Sequence, residues 1–157
     1  MSSKTQASPI AKRSRSFYGL LALLGLLSVG GFQGGWHLMA EPSGHWLAVS
    51  PILFNQWIGD FFLPGLYIFI FFGFAPIFLS YAMLTRLRWP LAEMIFGDKD
   101  YHWAWLATVG LATLLLLWTL GLIWLVGFRT LYQVLDALMG LMILRLLFLP
   151  SIRRSLN

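Results

Sequence analysis

The sequence predicts an all-α polytopic membrane protein, a four-transmembrane-helix bundle with both termini on the cytoplasmic side, and three observations predict it. The 157-residue chain is 59% hydrophobic and only 11% charged, whereas a soluble domain carries about a quarter of its residues charged to cover its exterior. Its apolar residues fall in four long runs, near 17–36, 61–84, 103–126 and 131–149. Its cations fall in the breaks between those runs, gathered on alternate breaks. Lipid is therefore the solvent for most side chains, and the four runs leave no room for a second folded domain.

Residues 1–16, MSSKTQASPIAKRSRS, are Ser-rich and basic, and read as a disordered arm. The run Phe17–Trp36 has the length of a span or of a secretory signal. A cleavable signal needs small residues before the cut, and Leu38-Met39-Ala40 matches that poorly, so a retained helix is expected. The other three runs are about 19 to 24 residues, roughly 29 to 36 Å as helix, against a hydrocarbon core of about 30 Å. They are continuously apolar, where barrel strands would alternate, so helices are expected.

Within these spans, Pro76 is mid-helix and predicts a kink with a freed carbonyl at Phe72, while Pro64 falls in a first turn and costs little. Gly30, Gly31, Gly34 and Gly35 form two overlapping small-xxx-small patterns, and Gly65 and Gly73 share one side of the second span. Either intramolecular packing or a dimer contact suits them. The loop His37–Asp60 is too apolar between Trp46 and Ile58 for free coil, and predicts a short helix in the plane of the interface. Leu91–Phe96, after Pro90, is expected to lie on the inner surface.

Orientation follows from charge. Lys4, Lys12, Arg13, Arg15, Arg86, Arg88, Lys99, Arg145, Arg153 and Arg154 fall on one side, and of the eleven Lys and Arg residues only Arg129 falls on the other. Cytoplasmic segments carry such an excess, which places the chain in the plasma (inner) membrane with both ends inside and residues 151–157 as a cytoplasmic tail. The net charge of +5 is accounted for in this way and not by nucleic acid. Trp36, Trp46, Trp57, Trp89, Trp103 and Trp105 cluster near span ends, as an aromatic belt requires.

Ionisable groups inside a span are costly and direct attention to function. The fourth span holds Asp136 and Arg145, and Arg145 is near enough to the inner end to snorkel. Arg129, Gln133, Asp136 and Gly140 are spaced i, i+4, i+7, i+11, which puts them in one stripe expected to face protein. With Gln33 and Asp60 from the other spans, Arg129, Gln133 and Asp136 form a candidate polar pocket open to the outside. One reading is a site for an ion, proton or small polar solute; the other is a buried network that fixes helix register.

Other chemistry is excluded. The chain has no cysteine, which removes disulfides, thiol catalysis and cysteine-ligated metal. His37 and His45 fall outside and His102 inside, so no pair can share a zinc or a haem. Asp98 and Asp100 form a solvated turn too poor in oxygen ligands for calcium. Phosphate-binding loops, nucleophile elbows and zincin motifs are all missing. No cofactor, metal or enzymatic activity is expected.

The residues Gly30-Gly31, Glu41-Pro42-Ser43-Gly44, Gly59-Asp60-Phe61-Phe62-Leu63-Pro64-Gly65-Leu66, Gly73 and Pro76 resemble a group of small uncharacterised four-span bacterial membrane proteins. In that group an acidic-Pro-Ser-Gly turn and an Asp-x-x-x-Pro-Gly-Leu entry to the second helix recur. Glu41 stands where the group usually has Asp, and the second half matches in hydropathy alone. The resemblance implies the four-span topology and implies no activity. The expected function is a non-enzymatic accessory or interaction subunit of a membrane complex, with the lipid bilayer, other membrane subunits or a second copy as partners. The alternative is a binder or transporter of a small polar solute, ion or proton, and a lipid- or pigment-contacting role, prompted by 8 Trp and 13 Phe, is a third.

Overall fold

A computed structural model of the chain describes residues 14–43, 60–96, 102–128 and 131–152. Every regular element among them is a helix: α1 Arg15–Ala40, α2 Phe62–Thr85, α3 Pro90–Phe96, α4 Trp103–Val126 and α5 Leu131–Leu147. Three of them, α1, α2 and α4, are long and apolar enough to cross a membrane. The basic arm before Ser14, the apolar loop Trp46–Ile58, the Asp98–Asp100 turn and Arg129 lie outside the described residues.

The boundaries follow local rules. α1 begins two residues before the predicted Phe17, because Ser14 accepts a hydrogen bond from the Phe17 N–H and so satisfies a donor of the first turn. It runs four residues past Trp36, to Ala40, where the Glu41 N–H closes on His37 and Pro42 follows. At the far end, α5 stops at Leu147 and not at the predicted Leu149, since the residue before Pro150 is steered out of helical geometry. A last turn over Pro150–Ile152 then buries Ile152 completely. Residues 151 and 152, expected in a cytoplasmic tail, thus belong to the packed domain. At 17 residues, α5 is about 25 Å long, a little under a hydrocarbon thickness.

The predicted irregularity at Pro76 takes the form of a widened turn just before it. The residues before it, Phe69–Phe74, make a π-helical segment, and the Ala75 N–H reaches back to Ile70. A widened turn absorbs the missing donor of proline within a continuous helix. Ser28 of α1 donates to the Gly73 carbonyl in this stretch.

α1 and α2 approach almost backbone to backbone here. A β-carbon on Gly31 would sit 2.2 Å from the Phe72 carbonyl carbon, and one on Gly35 would sit 2.7 Å from the Gly65 oxygen. Gly65 and Gly73 answer from α2, against Leu38 and Phe32. Of the two overlapping glycine patterns, Gly31 and Gly35 therefore serve packing inside the chain, while Gly30 meets nothing within 4 Å.

The second pair is α4 with α5. Gly140 fits against Leu116, and Trp105 Nε1 donates to the Leu147 carbonyl at 3.0 Å. The two pairs share one core, built from Phe17, Leu20, Leu24, Leu79, Met83, Leu111, Leu115, Ile143 and Leu147. Most of it lies where α1 and α4 begin and α2 and α5 end. Arg15, Arg86, Arg88 and Arg145 belong to this same end, all exposed, and it is called the basic end below. Glu41 and Asp60 are at the opposite end, where the Phe61 N–H bonds the Pro42 carbonyl. Higher up, Tyr67 of α2 meets Trp118 of α4 with ring centroids 5.0 Å apart.

Candidate functional site

The polar residues singled out by sequence occupy two different settings. On α5, Gln133 is 7% exposed and Gly140 is buried, with Asp136 half-buried between them. Three members of the predicted stripe, Gln133, Asp136 and Gly140, thus lie on the packed side of α5, and the fourth, Arg129, lies outside the described residues. Gln133 Nε2 donates to the Gly127 carbonyl at 3.2 Å. Gly127, at φ +79°, ends α4 in a conformation that costs glycine nothing. Gln133 thereby ties the end of α4 to the start of α5.

Asp136 lies one turn nearer the basic end. Since α4 and α5 run antiparallel, with Gln133 beside Gly127 and Gly140 beside Leu116, it stands roughly level with Thr119. Among the described residues it has no ion pair or hydrogen bond. Thr119 is buried and spends its hydroxyl on Leu115 of its own helix.

Gln33 and Asp60 sit at exposed positions. The Asp60 Oδ1 accepts from the Phe62 N–H at 3.1 Å, so its carboxylate caps the first turn of α2. The exposed face of α1 carries the Gln33 amide together with Leu26, Val29 and Trp36, turned away from the α1–α2 contact. The Gln33 carbonyl is engaged by His37 Nδ1 at 2.7 Å. The described bonds of Gln133 and Asp60 thus serve helix ends and not a common ligand, and Gln33 looks outward.

Among the polar contacts that escaped the sequence reading are Ser28 on the Gly73 carbonyl, Trp103 Nε1 on the Leu87 carbonyl at 2.7 Å, and the His102 cap of α4. Ser28, one turn before Gly31 on the same face, was the available signal for the first. His102 Nδ1 accepts the Ala104 N–H at 3.3 Å, so the neutral ring carries its proton on Nε2, which is buried without a hydrogen-bond partner among the described residues. Burial holds its pKa below the ordinary 6.5, with the Arg86 charge acting the same way, against the opposing pull of Glu93. A depressed histidine pKa means the unfolded chain takes up a proton first, so stability present above about pH 6.5 falls on acidification. Melting of the detergent-solubilised protein is expected to drop between about pH 7.5 and 5.5, and less so in His102→Asn, which can cap α4 without titrating. An equal drop in both proteins would remove His102 as the cause.

Comparison with known protein families, curated proteins and solved structures finds no match to this chain.

Proposed function

We propose that this chain is a four-span subunit of a bacterial plasma membrane complex, with its basic end in the cytoplasm, acting through helix–helix contact and not through catalysis. The cation distribution supports the orientation. The observation that carries the functional reading is the Gln33 amide on the exposed face of α1. Gln33 lies one turn inside Trp36, near the rim of the span, and an exposed amide there gains from a partner wherever lipid excludes water, by up to about 2–7 kcal/mol in full hydrocarbon. Gly30 beside it carries no side chain and has open space around it, so another helix can approach closely enough to supply a donor and an acceptor. The resemblance to the small four-span group supports the topology.

A second reading rests on Asp136, a carboxylate on the packed face of α5 without an ionic partner among the described residues. On this reading it binds a proton, cation or small polar solute beside Gln133.

Native mass spectrometry after mild detergent extraction separates the two. A co-purifying protein that is lost in Gln33→Leu, with melting unchanged, is the expected result. A monomer carrying a small molecule that disappears in Asp136→Asn favours the second reading. A bare monomer with neither overturns the first.

A further inference from the structure

The corner between α2 and α4 at the basic end has a shape of its own. α2 ends when Arg86 turns left-handed, at φ 52°, and the N–H groups of Arg86 and Leu87 both fold back onto the Ala82 carbonyl. Glycine usually takes that position, because a β-carbon is strained there. Beyond it the chain doubles back alongside α2. Trp89 packs edge-on against Phe78 at 5.7 Å and against Trp103 at 5.8 Å. Phe78 lies seven residues before Thr85, so the indole returns about 10 Å along α2 from its end. The Trp103 bond to the Leu87 carbonyl pins the return.

Helix α3 then starts level with apolar surface, not beyond it. Ala92 enters the core at 5% exposure, while Leu91, Met94 and Ile95 are 59%, 76% and 68% exposed. These three share one helical face by their i, i+3, i+4 spacing. Glu93 projects from the opposite side of α3 and acts on His102. Exposed Tyr81, Leu84 and Trp89 continue the apolar surface on the α2 side. Arg86 and Arg88 stand exposed at the bend just before it.

We propose that this corner seats an anionic phospholipid of the adjoining leaflet. Its phosphate is held at Arg86 and Arg88, and its acyl chains lie over Trp89 and the Leu91, Met94, Ile95 face of α3. Two features select this occupant. The exposed apolar face continues the lipid-facing side of α2, so acyl chains cover both without a break. Arg86 and Arg88, two residues apart and both exposed at its rim, match the charge of a phosphate, which arginine binds in a forked geometry. The seat rests on the chain being membrane-embedded and is independent of whether Gln33 meets a protein partner.

Delipidated full-length protein in detergent is titrated with phosphatidylglycerol, with phosphatidylcholine and with inorganic phosphate, and bound lipid is counted by native mass spectrometry. Phosphatidylglycerol is expected to bind about tenfold tighter than phosphatidylcholine, a preference lost in R86Q/R88Q, kept within about threefold in R86K/R88K, and kept in R145Q, whose cation is elsewhere at the same end. Equal loss in R145Q, or displacement of the lipid by inorganic phosphate, overturns the seat. A spin label on Ile95→Cys, introduced into a chain with no other cysteine, is expected to collide with oxygen more than with an aqueous nickel chelate in bilayers. The reverse order also overturns it, whatever becomes of the protein-partner reading.

Discussion

Gly31→Ala is expected to be the most damaging single-methyl change in the protein. Its β-carbon would lie 2.2 Å from the Phe72 carbonyl carbon, 2.3 Å from its oxygen and 2.5 Å from the Gly73 nitrogen. All three are backbone atoms of α2, so no side chain can swing aside, and α1 must move away from the π-helical segment. That movement would also draw Ser28 from the Gly73 carbonyl. Overpacking at a site free to adjust costs about 1–3 kcal/mol, and this site is not free, so about 3 kcal/mol or more is expected. Unfolding in mixed detergent and dodecyl sulfate, followed by near-ultraviolet circular dichroism, measures it. Gly30→Ala, one residue away with open space around it, should shift the curve by under about 0.5 kcal/mol. Equal effects at the two positions would refute the backbone contact.

The second large effect is expected at Trp105, which is 6% exposed and joins α4 to the end of α5. Its ring meets Phe148 edge-on at 5.7 Å, and its Nε1 caps the Leu147 carbonyl. That carbonyl belongs to the last turn of a helix, where no amide of the helix itself can reach it. Trp105→Ala loses both packing and cap, and is expected to cost about 3–5 kcal/mol. Trp105→Phe keeps much of the packing and leaves the carbonyl unpaired in a buried place, costing about 1–3 kcal/mol. The same unfolding assay distinguishes them. If Trp105→Phe proved silent, the indole N–H would contribute nothing.

The helices were legible because lipid imposes a single rule, that backbone amides be satisfied within their own segment, and apolar runs of sufficient length obey it visibly. The protein-facing stripe of α5 was legible because helical period alone puts Gln133 and Gly140 on one face. What escaped was direction around and between helices. Gly30 with Gly34 and Gly31 with Gly35 have the same spacing, and only the position of α2 decides which pair is used. Gln33 has a depth that hydropathy can read, but its direction, outward and away from α2, depends on that same contact. Asp60 reads as one of a group of distant polar residues, although its place two residues before Phe62 suits a local cap. Pro76 announced an irregularity in α2, but that it would be a π-helical segment lying against Gly31 and Ser28 of α1 could not be read from spacing.

The gathering of large buried side chains at the basic end makes the two leaflets unequal neighbours of the protein. Lipids of one leaflet press on a filled wall, where Phe17, Met83, Trp103 and Leu147 leave little to compress. Those of the other meet two helix pairs, one closed by glycine and the other by the Gln133 tie. Between those pairs the bridge is aromatic, Tyr67 of α2 against Trp118 of α4, with ring centroids 5.0 Å apart.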